Sequence, residues 1–230
     1  MTDETHSDQL MPPPPPAGDG RTGPPWESQR AAIDAFIATT REVLMQPGAF
    51  FLTMRRDGGL GPPLAFGVIG FSAGMLIAMF YQTAFRGFGM PFLPYPMREM
   101  AIGIASIFVW AIVAPIFALI TLFVGSAIYH VLLMLFGGAR QPFETTFRVV
   151  AYAVGSTSLF NVLPVCGGVI GSVWNIVVTI IGLARAHETT TGRAAAAVLV
   201  PILICCMLAM FFLAAIVALI MAGVRGANQL

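Results

Sequence analysis

From Ala101 to Phe136 the chain runs for 36 residues without an Asp, Glu, Lys or Arg. As a single helix that stretch is about 54 Å long at 1.5 Å per residue. About 20 apolar residues already cross a ~30 Å hydrocarbon core. The favoured reading is one overlong helix that tilts, projects or kinks at Pro115. Two short spans are the alternative, although no polar turn divides the run. Composition points the same way: 57% of the 230 residues are hydrophobic and 10% charged, against about 25% charged in soluble domains. This balance excludes disorder, a coiled coil and an ordinary soluble enzyme domain as the main state, and indicates a polytopic membrane protein.

Further spans follow from the same test. Residues 62–85 carry no charge, and Gly70 with Gly74 form a GxxxG spacing through which a second helix can approach closely. The stretch 147–184 is too long for one span and is broken by Pro164, Gly167 and Gly168, so it reads as a hairpin of 146–163 and 166–185. The first of these is weakly apolar. Tyr152, Ser156, Thr157, Ser158 and Asn161 must face protein or water rather than lipid. Residues 194–223 form the last span, kinked at or starting near Pro201. The expected fold is all-α, a transmembrane helical bundle of about five spans, with an amphipathic helix before it.

Outside the bundle, 1–25 is a Pro-rich tail with Pro12 to Pro16 in a row, too polar to fold alone. The chain does not open with the basic start and apolar stretch of a secretory leader. Residues 26–46 show helical spacing of Trp26, Ile33, Phe36, Ile37, Val43 and Leu44, a helix for the membrane surface or for packing on the bundle. Pro47 and Gly48 end it. Phe50, Phe51, Arg55 and Arg56 then set apolar anchors beside positive charge, and 47–225 is the transmembrane domain. The segment 86–99 reads as a loop. Every basic residue is Arg, twelve in all. With the N-terminus inside, nine fall on inner segments and three on outer ones, which favours N-terminus in the cytoplasm and C-terminus out. Two short spans in 101–136 would return the C-terminus to the inside.

Chemistry is sparsely signalled. No nucleophile elbow, HExxH or phosphate-loop spacing occurs, and neither a metal centre nor a cofactor is expected. No basic cluster is dense enough for nucleic acid. Cys166, Cys205 and Cys206 read as small apolar residues. Glu144 and Arg148 stand in the favourable order for a helical ion pair. Three readings compete. A scaffold would present Phe50, Phe51, Arg55, Arg56, Leu60, Gly61, Pro62, His187 and Arg193 to lipid or to partners, including a second copy. A small-solute transporter would use an intramembrane polar cluster of Tyr152, Ser156 and Asn161. An enzyme would rely on His187 and Glu188.

Several pieces occur in a set order. They are Pro47-Gly48-Ala49-Phe50-Phe51, Leu60-Gly61-Pro62-Pro63-Leu64, Gly137-Gly138 and Thr146-Phe147-Arg148-Val149-Val150-Ala151-Tyr152. Pro164, Gly167, Gly171, Trp174 and Gly182-Leu183 follow, then His187, Thr191, Arg193-Ala194 and Pro201. Over about 40–225 this order resembles the Yip domain family of Ypt/Rab-interacting membrane proteins, above all its prokaryotic branch. The resemblance implies a cytoplasmic N-terminal region and five spanning helices. Leu60–Leu64 is similar to the family's Asp-Leu-x-Gly-Pro-Leu motif, with Asp57 displaced by two glycines, and 187–194 is similar to its second, Gly/Ser-rich motif. A multi-pass protein of the cell inner membrane, non-enzymatic, that organises membrane or recruits partners is the function expected. Its surface helix 26–46 and Phe50–Phe51 would act as a wedge.

Overall fold

The computed structural model describes residues 21–28, 32–88 and 97–227. Most of the expected Pro-rich tail and the middle of the 86–99 loop lie outside these. Among the described residues the fold is all-helical: α1 (Pro25–Ser28), α2 (Ala32–Met45), α3 (Pro47–Thr53), α4 (Gly61–Phe88), α5 (Met97–Leu135), α6 (Phe143–Thr157), a 3-10 turn (Ser158–Val162), α7 (Gly167–Ala186) and α8 (Thr191–Ala227).

Four helices are long and apolar enough to cross a membrane, over Gly61–Ala84, Ala105–Leu135, Gly167–Ala186 and Thr191–Ala218. The overlong run is one continuous helix with Pro115 inside it, so the two-span alternative is excluded. α4 and α5 also reach into the expected 86–99 loop from both sides, because the charges there are too few to end a helix backed by long apolar runs. α6 has only 15 residues, too few to cross a bilayer alone, yet α6 and the 3-10 turn together extend about 30 Å alongside α4 and α7. They supply the fifth pass, inside the bundle.

Glycine makes that position possible. A Cβ on Gly70 would lie 2.1 Å from the Gly155 carbonyl oxygen, and one on Gly74 would lie 2.3 Å from that of Ser158. On the other side, a Cβ on Gly167 would lie 2.0 Å from the Phe160 oxygen. With a Cβ on Gly171 also 2.9 Å from the Thr157 oxygen, α6 and the 3-10 turn together are held at backbone contact between α4 and α7, the geometry in which small residues replace side-chain packing. All of α6 from Thr145 to Ala153 is buried. By contrast α5 and α8 turn large apolar side chains outward, among them Phe108, Ile112, Met207 and Phe211. A bilayer accommodates such faces without cost.

The amphipathic segment is two helices, described over 25–28 and 32–45, and both dock onto the bundle. α2 buries Ala35, Thr39, Thr40 and Val43 and leaves Ile33 and Ile37 76% and 59% exposed. Pro47 disfavours helix at Gln46 and opens α3 at its first position. Phe50 and Phe51 were expected at the membrane surface. They are instead 3% and 0% exposed, because α3 turns both rings into the bundle. Phe51 meets α7 at Gly182, where a Cβ would lie 2.9 Å from its ring. Phe50 stacks edge-on against Tyr152 with ring centroids 5.5 Å apart. Tyr152 continues through Phe66 to Phe36 and Trp26.

Candidate functional site

The segment before α1, the α3–α4 loop, the α5–α6 loop and the α7–α8 loop meet at one end of the bundle. Arg148 lies at their centre, with its side chain 0% exposed. Its Nη2 donates to both carboxylate oxygens of Glu27, at 2.6 and 2.7 Å. Its Nε donates to the Arg55 carbonyl at 2.8 Å and its Nη1 to the Gly59 carbonyl at 3.0 Å. The Tyr152 hydroxyl donates to Glu27 Oε1. The helical pair with Glu144 is the looser one, at 3.8 Å, because Glu144 accepts the Gly59 N–H at 2.7 Å. Glu144 and Arg148 thus hold the loop that leads into α4 by both an N–H and a carbonyl.

A second hub forms on Glu188, which adopts a left-handed backbone at φ 50°. Its carboxylate pairs with Arg56 and, at 3.3 Å, with Arg21. Its carbonyl accepts from Arg140 at 3.0 Å. The Arg56 hydrogen bond and the surrounding arginines hold the Glu188 carboxyl below the usual range. Arg193 donates to the Gly137 carbonyl at 2.9 Å, which closes the α5–α6 loop onto α8. Arg55 is exposed.

Beneath this surface His187 is fully buried. The Gln141 N–H donates to its Nδ1 at 3.2 Å, so the neutral ring carries its proton on Nε2. That proton faces Thr146 Oγ1 at 2.9 Å, and the Thr146 hydroxyl in turn donates to His130 Nδ1 at 2.8 Å. Burial first, then the nearby His130 and Arg56 charges, lowers the His187 pKa to about 4. Both ring nitrogens are engaged within the protein and Glu188 is spent on arginines, so the two do not form an acid–base pair.

The remaining expected residues divide. The Pro62 carbonyl accepts from the Trp26 indole at 2.8 Å, and Leu60 packs beside it under Phe147 and Val150. Gly61 is exposed at the start of α4. Tyr152 points to this end and to Glu27. Ser156 is fully buried without a hydrogen-bond partner for its hydroxyl, and Asn161 lies in the 3-10 turn at the far end. The intended polar cluster is therefore dispersed along α6 rather than gathered around one solute-sized space. Among the described residues no set of His, Cys, Asp and Glu could hold a metal ion, and the three cysteines are free. Glu27 was not singled out for this site. Its one signal was a carboxylate at the start of an apolar-spaced segment in a chain with few acids.

These features define a multi-pass membrane protein whose polar residues gather at one pole. The Yip1 domain matches residues 41–214, and the chain belongs to that family. No curated protein and no solved structure matches it.

Proposed function

We propose that the chain is a non-enzymatic scaffold of the cell inner membrane that organises membrane or recruits partners at its arginine-rich pole. The observation that carries this reading is the convergence of Arg21, Arg56 and Arg140 on the single exposed residue Glu188. It ties four separate segments into one pre-organised pole, with Arg21 and Arg56 largely buried against the exposed carboxylate. Arg55, Arg185 and Arg193 are exposed around it. Arginine on one side of a bundle favours the cytoplasm there, with the C-terminus opposite after five passes. Each arginine near an anionic leaflet contributes about 1 kcal/mol.

The wedge takes a different form from the one the sequence suggested. With Phe50 and Phe51 in the core, the apolar side chains offered outward next to this pole are Ile33, Ile37, Met45 and Leu52. Three of them follow helical spacing on α2, with Arg41 in the same row. This stripe is suited to shallow insertion between headgroups. In-cell crosslinking with mass spectrometry tests the reading on the intact chain and on an Ile37→Asp, Arg193→Ala variant. A defined membrane-protein partner or a second copy lost in the variant supports it. The same crosslinks in both forms, at equal yield, count against it.

A further inference from the structure

The Glu27 carboxylate occupies a site whose walls do not depend on it. Arg148 and Tyr152 belong to α6, both are fully buried, and Arg148 is oriented by the Arg55 and Gly59 carbonyls. Glu27 comes from outside the bundle, on the short segment 21–28, here termed the strap. No residue of α1 is fully buried. Apart from Glu27, the strap is held by hydrogen bonds that water can replace, by the Arg21–Glu188 ion pair at 3.3 Å, whose carboxylate is exposed, and by the Trp26 ring on Phe36 and Phe66. The hydrogen bonds are Gly23 N–H to the Thr53 carbonyl at 3.2 Å, Trp26 N–H to Thr39 Oγ1 at 2.9 Å, and the Trp26 indole to the Pro62 carbonyl. Arg21 adds long contacts to the Phe51 and Met54 carbonyls. Water cannot replace the carboxylate itself. A buried guanidinium stripped of its counter-charge is strongly unfavourable, whereas exchange of one anion for another keeps it paired.

We propose that Arg148 and Tyr152 form a phosphate-binding pocket that Glu27 fills in cis, and that the strap lifts only in exchange for a phosphate group. Three donors fit that group. Arg148 Nη2 straddles two oxygens, as it now straddles the carboxylate. The Tyr152 hydroxyl supplies a hydrogen bond to one of them. A phosphate has a further oxygen that a carboxylate lacks, and Arg55 stands at the mouth for it. The Arg55 stem lies across Gly23 of the strap, where a Cβ would be 2.8 Å from its Cδ, and its guanidinium lies over Gly58. Charge-assisted bonds of this kind favour phosphate. Because strap and phosphate compete for Arg148, weakening either strengthens the other by the same factor.

The test uses the full chain in phosphatidylcholine nanodiscs and phosphate-free buffer, with two probes. One is inorganic phosphate. The other is phosphatidylglycerol incorporated into the nanodisc. Hydrogen exchange over 21–28 and direct binding are read together. In wild type either probe should raise exchange in the strap. Glu27→Gln, which keeps the shape and removes the charge, should bind the effective probe at least tenfold more tightly. Arg55→Ala keeps the Glu27–Arg148 pair, the Tyr152 hydrogen bond and the Arg55 carbonyl, and should need several-fold more probe to free the strap. Response to phosphatidylglycerol alone assigns a lipid headgroup, response to inorganic phosphate alone a soluble phosphate compound, and response to both the shared group. Strap exchange in wild type that neither probe alters, or Glu27→Gln without a gain in affinity, overturns the proposal. Equal strap release in Arg55→Ala and wild type also overturns it, whether or not Glu27→Gln folds.

Discussion

Arg148 takes its counter-charge from Glu27, 121 residues upstream, rather than from Glu144 one helical turn away. The distant carboxylate completes the burial of a guanidinium that α6 carries into the bundle. The near one is turned aside to the Gly59 N–H. A charge buried this way ties the N-terminal strap to the fold as firmly as any apolar contact.

Removing one partner of that pair should therefore cost far more than removing Glu144. Glu27→Ala is expected to destabilise the detergent-solubilised protein by about 3–5 kcal/mol. Glu144→Ala should lose about 1–2 kcal/mol, the worth of a charge-assisted hydrogen bond. Replacing both Glu27 and Arg148 with apolar residues, Glu27→Leu with Arg148→Met, should recover most of the first loss. Denaturant unfolding of the variants measures all three.

The contact of α4 with α6 leaves no room for a methyl group. Gly70→Ala should force the helices apart and cost about 1–3 kcal/mol or more, as overpacking does. Gly125 on α5 has nothing within 4 Å of where a Cβ would lie, so Gly125→Ala should be neutral or stabilising by up to about 1 kcal/mol. Equal behaviour of the two variants in thermal unfolding would contradict the observed close approach.

Acidification should loosen the pole. His187 is held neutral in the folded chain, with its pKa lowered to about 4 from the ordinary 6.5. The unfolded chain binds the extra proton first, so this contribution to stability is complete above pH about 6.5 and is lost as pH falls towards 4. At about 1.4 kcal/mol per unit, the loss over that window reaches about 3 kcal/mol. His130, Arg56 and the Glu188–arginine cluster face the same ring and shape the profile. Protonating Nδ1 also sets it against the Gln141 N–H, which donates to it now. Unfolding midpoints between pH 7 and 4.5, compared with His187→Gln, measure the effect; the variant should lose the slope.

The two kinds of apolar residue in the N-terminal region should separate cleanly. Phe51→Ala removes a ring with no exposed surface and is expected to cost about 3–5 kcal/mol. Ile37→Ala, on the outer face of α2, should change stability by less than about 0.5 kcal/mol while reducing quenching of a probe on α2 by bromolipid. A large stability loss from Ile37→Ala would mean that α2 is docked through the wrong face.

The apolar runs made the bundle legible in the sequence, since lipid imposes a length that charge-free stretches report directly. The single long α5 and the α6–α7 hairpin follow from that rule, as does the packing role of Gly70 and Gly74. What the sequence did not disclose was pairing at long range. Periodicity showed that 26–46 has an apolar side, and it could not say whether Phe50 faces lipid or Tyr152, since both environments are apolar. The spacing of Glu144 and Arg148 suggested a partnership that Glu27 takes over, because an ion pair across 121 residues leaves no local pattern. His187 stood out as a rare residue, but its link through Thr146 to His130 depends on how α5, α6 and α7 meet.

The enclosure of α6 also constrains the order in which the protein is made. A segment that carries Arg148, Glu144 and a row of hydroxyls is a poor guest for lipid, and its shelter is built from α4 before it and α7 after it. Synthesis delivers α4 and α5 first, and α6 must then wait until α7 has emerged to close the other side. The two helices are therefore expected to enter the bilayer as a pair. Lengthening the turn between them at residues 163–166 would prolong the wait. It would be felt first as lower yield of membrane-integrated protein in the cell, well before any change in the finished fold.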